Sequence, residues 1–115
     1  MSKNLVIHIF HSDESSLNTS AHVAERIRQV MGEQEVRLEV FVFGPAEKAL
    51  TTPEGAEMRD TLVALAKAGV PVRTCRNTAE AIGKAEEFTS LGFGLEYARD
   101  AFVRYAVEGA TVISF

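Results

Sequence analysis

The chain has 115 residues, of which 46% are hydrophobic and 24% charged, the balance of a single soluble globular domain. Twelve Lys and Arg against sixteen Asp and Glu leave a net charge of -4, which excludes the clustered basic surface that nucleic-acid binding requires. One cysteine, Cys75, excludes a disulfide scaffold, a CxxC redox pair and a multi-cysteine zinc site.

Residues 4–10 form an apolar run broken by His8 and read as the first strand. The run is too short for a bilayer span or a signal-peptide core, which predicts a cytoplasmic protein, no membrane partner and a reduced Cys75. Residues 16–31 repeat apolar side chains at helical spacing (Leu17, Ala21, Ala24, Ile27, Met31), with Asp13 and Glu14 favouring the helix start. A strand follows at 35–43, apolar on both faces over Val40-Phe41-Val42-Phe43. Residues 44–55, with Pro45, Thr51, Thr52 and Pro53, read as a mobile loop with one weak helical turn near 46–50. A helix at 56–68 turns Met58, Leu62, Leu65 and Ala68 inward and leads to a strand at 70–75.

Asn77 with Glu80 three residues on reads as a capping box, so the next helix starts near Asn77. A short strand at 94–97 precedes a helix at 99–108 with Phe102, Tyr105 and Ala106 inward, and the last strand is 110–115. Gly32, Gly69 and Gly109 each follow a helical pattern, where a left-handed residue ends a helix. Strands alternating with helices predict an α/β fold with a parallel sheet and right-handed crossovers.

In such sheets ligands bind outside the carboxyl ends of the strands. That edge gathers His11, Ser12 and Asp13 from the first strand, Gly44 and Pro45 from the second, and Cys75, Arg76, Asn77 and Thr78 from the third. Cys75 precedes a helix N-terminus, whose amides, including those of Thr78 and Ala79, favour a thiolate, with Arg73 and Arg76 adding positive charge. The pattern alone leaves Cys75 open between a reactive thiol and a small buried hydrophobe.

The arginine that a phosphatase loop needs six residues after its cysteine is Ala81 here. No glycine-rich phosphate loop follows a strand, so no nucleotide cofactor is expected. His8 reads as a core or interface histidine and His22 as solvated. His11 is placed either to orient or deprotonate Cys75, or to cap the following helix. His8, His11 and Cys75 match no metal-ligand spacing, so no metal is expected.

Several segments together resemble the DsrE/DsrF-like family, also called YchN-like. They are Val6-Ile7-His8-Ile9, Asn18 early in the first helix, Val40-Phe41-Val42-Phe43-Gly44-Pro45, Gly69-Val70 leading to Cys75-Arg76-Asn77-Thr78, and Glu108-Gly109-Ala110. The resemblance spans nearly the whole chain and implies a three-layer α/β/α sandwich with a mainly parallel five-stranded sheet, assembled as a homotrimer or homohexamer. It also implies a sulfur relay, in which Cys75 accepts a persulfide sulfur from a donor protein and hands it to an acceptor. His11, Asn18, Gly44, Pro45, Arg76, Asn77 and Thr78 are its supporting or ligand-binding residues. The alternative is a non-catalytic oligomer of the same fold that binds a small ligand.

Overall fold

A computed structural model of the protein describes residues 3–115. The single domain expected over 1–115 thus includes two residues, 1 and 2, outside the described ones. Strands β1 (Lys3–Ile9), β2 (Val36–Val42), β3 (Val72–Cys75), β4 (Gly94–Glu96) and β5 (Thr111–Ser114) form one sheet in the order β4-β3-β2-β1-β5. Every pair is parallel, from Leu5 opposite both Leu38 and Thr111 to Cys75 opposite Glu96. The helices are α1 (Glu14–Met31), α2 (Pro45–Ala49), α3 (Ala56–Lys67), α4 (Arg76–Ala81), α5 (Ala85–Ser90) and α6 (Ala98–Glu108).

The strand order decides which face each helix covers. From β1 to β4 the chain steps in one direction, and right-handed crossovers put α1 to α5 on one face. The return from β4 to β5 crosses the sheet the other way and puts α6 on the opposite face. The two cores match this division. Leu38, Val40 and Val42 of β2 pack with Leu17, Ala21, Met58, Leu62 and Phe88 in the large core. Phe41, one residue out of phase, packs with Val6, Cys75, Ala101 and Tyr105 in a small core under α6.

Asp13 caps α1, its carboxylate accepting from the Ser16 amide at 3.0 Å. His11 therefore does not cap it. Gly32 is right-handed at φ -61°, contrary to the expected turn; Glu35 takes the left-handed position instead, at φ 55°. Gly69 and Gly109 do have positive φ, at 96° and 67°.

The 44–55 segment is more ordered than its composition implies. Pro45 starts α2, where its missing amide costs nothing, and Pro53–Gly55 forms a 3-10 turn. Ala46, Glu47, Ala49 and Leu50 are all buried, so this segment is packed core and not a solvated loop. Gly44 makes the turn into α2 at φ 67° and ψ -141°, with space for a side chain closed by the Phe10 ring.

Two helix faces also differ from expectation. Ala101 and Tyr105 are the buried residues of α6, while Phe102 is 42% exposed and Ala106 lies outside. Ala68 is exposed as the C-cap of α3.

Candidate functional site

The loop after β3 turns into α4 on the large-core face, whereas the loop after β4 turns into α6 on the other. Adjacent strands whose connections leave to opposite faces open a crevice at their carboxyl ends, the place where open α/β sheets bind ligands. Cys75 is the last residue of β3, paired with Glu96 of β4, and stands at that switch point. Its side chain joins the small core with Phe41, Ala101 and Tyr105, flanked by Phe43 and Ala98, and the residue is 6% exposed.

Cys75 is itself the N-cap of α4, in extended conformation at φ -69° and ψ 121°. The helix thus begins at Arg76, one residue before Asn77. No side chain caps it, and Asn77 is exposed in its first turn, so the Asn77–Glu80 capping box does not form. The unpaired amides of the first turn are consequently those of Arg76, Asn77 and Thr78, and Ala79 lies one residue deeper.

The Cys75 amide is taken by a residue the sequence reading missed. It donates to Oε1 of Glu47 in α2 at 3.2 Å. Glu47 has no exposed surface, and its Oε2 has no hydrogen-bond partner among the described residues. Burial pushes its carboxyl up to about 8, although the Cys75 amide and the neighbouring Thr74 hydroxyl both favour the charged form. Glu47 is therefore uncharged near neutral pH.

Arg73 adds little positive charge at Cys75. It pairs with Glu39 at 2.9 Å and approaches Glu96 at 4.0 Å. Arg104 reaches from α6 to both carboxylates, with Nη2 2.6 Å from Glu39 and 2.9 Å from Glu96, and the Tyr105 hydroxyl donates to Glu39 at 3.0 Å. Burial opposes charge on Glu39, but the Arg104 hydrogen bonds and the Arg73 charge hold its carboxyl below the ordinary value. The network pins α6 to β2 and β4 beneath the crevice. Arg76 is half-buried and makes no ion pair among the described residues.

The other predicted residues fall into two groups. Gly44 and Pro45 adjoin the crevice, because α2 packs on α4. His11 and Asn18 come from the β1 side of the sheet. His11 is exposed at the end of β1, edge-on to the Phe10 ring, and two strand spacings, roughly 10 Å, separate β1 from β3. Asn18 sits between α1 and α3, in clefts it shares with Glu57. His8 is half-buried on the α6 face, 3.2 Å from the Ser114 hydroxyl and stacked on Phe43, and burial lowers its basicity. Among the described residues no group of three His, Cys, Asp or Glu could hold a metal ion, and no helix is long and apolar enough to cross a membrane.

No protein-family model matches the sequence, and no curated protein matches it. Solved structures do. BT1422 from Bacteroides thetaiotaomicron, a conserved protein of unknown function, superposes with a TM-score of 0.80 at 16% identity, over 98% of this chain and 95% of that one. MTH1491 from Methanobacterium thermoautotrophicum, also of unknown function, gives 0.76 at 24% identity over 99% of this chain and all of the other. The ychN protein from E. coli gives 0.71 at 19% identity over the full length of both chains. At these identities the likeness is one of fold. With its five-stranded parallel sheet superposing over the full length of both chains, the chain has the YchN-like fold.

Proposed function

We propose that the protein is a cytoplasmic sulfur carrier that holds sulfur as a persulfide on Cys75. The observation that carries this reading is the position of Cys75, the only cysteine of the chain, at the switch point between β3 and β4. The Cys75 thiolate attacks the terminal sulfur of a donor persulfide. The donor S–S bond breaks, a new S–S bond forms at Cys75 Sγ, and the donor leaves as a thiolate that takes up the proton lost from Cys75. An acceptor thiol repeats the exchange and regenerates Cys75. With no second cysteine, that acceptor belongs to another protein. The apolar cover of Phe43, Ala98 and Ala101 suits a bound sulfur that must be kept from stray thiols.

Incubation with glutathione persulfide is expected to add about 32 Da, one sulfur, to the wild-type chain, to add nothing to Cys75→Ser, and to be reversed by dithiothreitol. A Cys75 that alkylates readily yet gains no sulfur sinks the proposal. It would favour the alternative, a ligand-binding oligomer, which has in its support a cleft of about 480 Å³ lined by Ser12, Asn18 and Glu57 at the same edge of the sheet.

We also propose that copies of this chain associate, as a homotrimer or homohexamer, through α6 and β5. Val103 and Val107 of α6 are 65% and 81% exposed, beside Phe102, Val112 and Ile113 at about 43% each. The face that only α6 covers thus ends in an open apolar patch along an unpaired strand edge. Sedimentation is expected to give a mass several times the 12.6 kDa of one chain, reduced towards it by Val107→Lys. A monomer at micromolar concentration would rule the assembly out.

A further inference from the structure

We propose that Glu47 is the positioning residue of Cys75: an uncharged buried carboxyl that clamps the Cys75 amide and limits thiolate formation once it ionises. This deepens the carrier reading and rests on it for what the thiol is used for. The clamp itself is visible. Oε1 of Glu47 accepts from the Cys75 amide at 3.2 Å, fixing the turn from β3 into α4 from the neighbouring α2. The other oxygen, Oε2, is buried and makes no well-formed hydrogen bond among the described residues; the neighbouring Thr74 hydroxyl gives the carboxyl partial support. A buried carboxyl in that state resists ionisation.

Among the described residues no ion pair to Glu47 is formed. Lys48 of α2, Glu54 of the following turn, Glu80 of α4 and His11 of the loop after β1 are exposed, and Arg76 is half-buried. Arg73 of β3 is paired with Glu39, and Arg59 of α3 donates to the Leu50 carbonyl. Burial accordingly raises the Glu47 carboxyl to about 8, close to the range in which an ordinary thiol ionises.

The amide nitrogen of a cysteine lies within about 4 Å of its own Sγ in any rotamer, so the 3.2 Å hydrogen bond places Glu47 Oε1 within about 7 Å of the sulfur. At that range a carboxylate opposes a thiolate, whereas a neutral carboxyl does not. Near neutral pH the sulfur therefore has no negative neighbour in Glu47, and an anionic persulfide donor meets no repulsion from it. Above about pH 8 Glu47 carries a negative charge within that range of the sulfur.

The test is the rate of Cys75 alkylation by iodoacetamide from about pH 6 to pH 10, in the wild type and in Glu47→Gln. Glutamine keeps the acceptor oxygen and cannot ionise. The wild-type profile is expected to flatten above an inflection near 8, and Glu47→Gln to follow a single thiol curve, reacting roughly 3–10 times faster at pH 9. Superimposable profiles overturn the proposal, as does a thiol that reacts at no pH in either folded protein. Sulfur loading separates this failure from that of the carrier. Loading with superimposable profiles removes only the role of Glu47, and distinct profiles without loading remove only the carrier.

Discussion

Glu47→Gln is expected to abolish a loss of stability of several kcal/mol that the wild type undergoes between about pH 4.5 and pH 8. A glutamate in the unfolded chain ionises near 4.5, whereas in the folded protein burial raises it to about 8. Between those values the folded state holds a proton that unfolding releases, so stability falls as pH rises, at about 1.4 kcal/mol per unit. The loss is absent below the unfolded value, accumulates to roughly 3–5 kcal/mol across the interval, and levels off above the folded value.

Glutamine never ionises in either state, so this component disappears. Its amide hydrogens need partners where Oε2 has none, at a cost of about 1–3 kcal/mol. The variant should then be equal or weaker than wild type at pH 5 and about 1–3 kcal/mol more stable at pH 8. Urea unfolding of both proteins at several pH values checks this. Other groups cancel in the difference between them. Glu39, held below its ordinary value, contributes stability above the unfolded pKa that is lost as pH falls through the folded one. His8, whose basicity is lowered, makes stability rise as pH climbs from its folded value to the ordinary 6.5 and adds nothing above it. Parallel stability curves for wild type and variant would refute an uncharged Glu47.

Gly55→Ala is expected to cost about 3 kcal/mol or more, because the side chain has nowhere to go. A Cβ on Gly55 would fall 2.0 Å from the carbonyl oxygen and 2.6 Å from the carbonyl carbon of Ala49. Both are backbone atoms at the end of α2, so no rotamer change makes room. The backbone of Gly55 is otherwise ordinary, at φ -94°, and the penalty is purely steric. Relief requires the Ala49–Leu50 backbone to move, and with it the helix that holds Glu47 against Cys75. The midpoint of thermal unfolding should drop by about 10–15 °C. Gly32→Ala is the control. That residue is right-handed with nothing within 4 Å of the added carbon, and the change should lie within about 0.5 kcal/mol of neutral. Equal effects at the two sites would contradict the packing of α2 against the Pro53–Gly55 turn.

The elements legible in the sequence are those whose cause is local. Continuous apolar runs mark β1 and β2, helical spacing marks α1 and α3, and the end of β3 falls at Cys75 as read. What escaped depends on partners distant in sequence. Glu47 was hidden in a stretch rich in Pro and Thr. Its signal was faint: Pro45 at a helix start, then Ala46, Ala49 and Leu50 at helical spacing around one glutamate. Glu39 is a half-buried charge between Leu38 and Val40 that demands a partner, yet Arg104 lies 65 residues away and no periodicity points to it. The inward face of α6 was misread for a related reason. An aromatic side chain at Phe102 looks like core, but the close approach of α6 to Phe41 and Cys75 admits the small Ala101 instead. The site divides the same way: Cys75, Gly44 and Pro45 lie at the ends of β3 and β2, whereas His11 and Asn18 lie after β1 and in α1.

The pairing of β5 with β1 has a consequence for how the chain reaches its fold. Leu5 stands opposite Thr111 and His8 opposite Ser114, so β1 acquires its second neighbour from the strand farthest from it in sequence. Until β5 is made, β1 is an open edge, apolar at Val6, Ile7 and Ile9. Contacts of such separation close late and slowly, which makes sheet closure, rather than helix formation, the step at which nascent chains of this protein are exposed to aggregation.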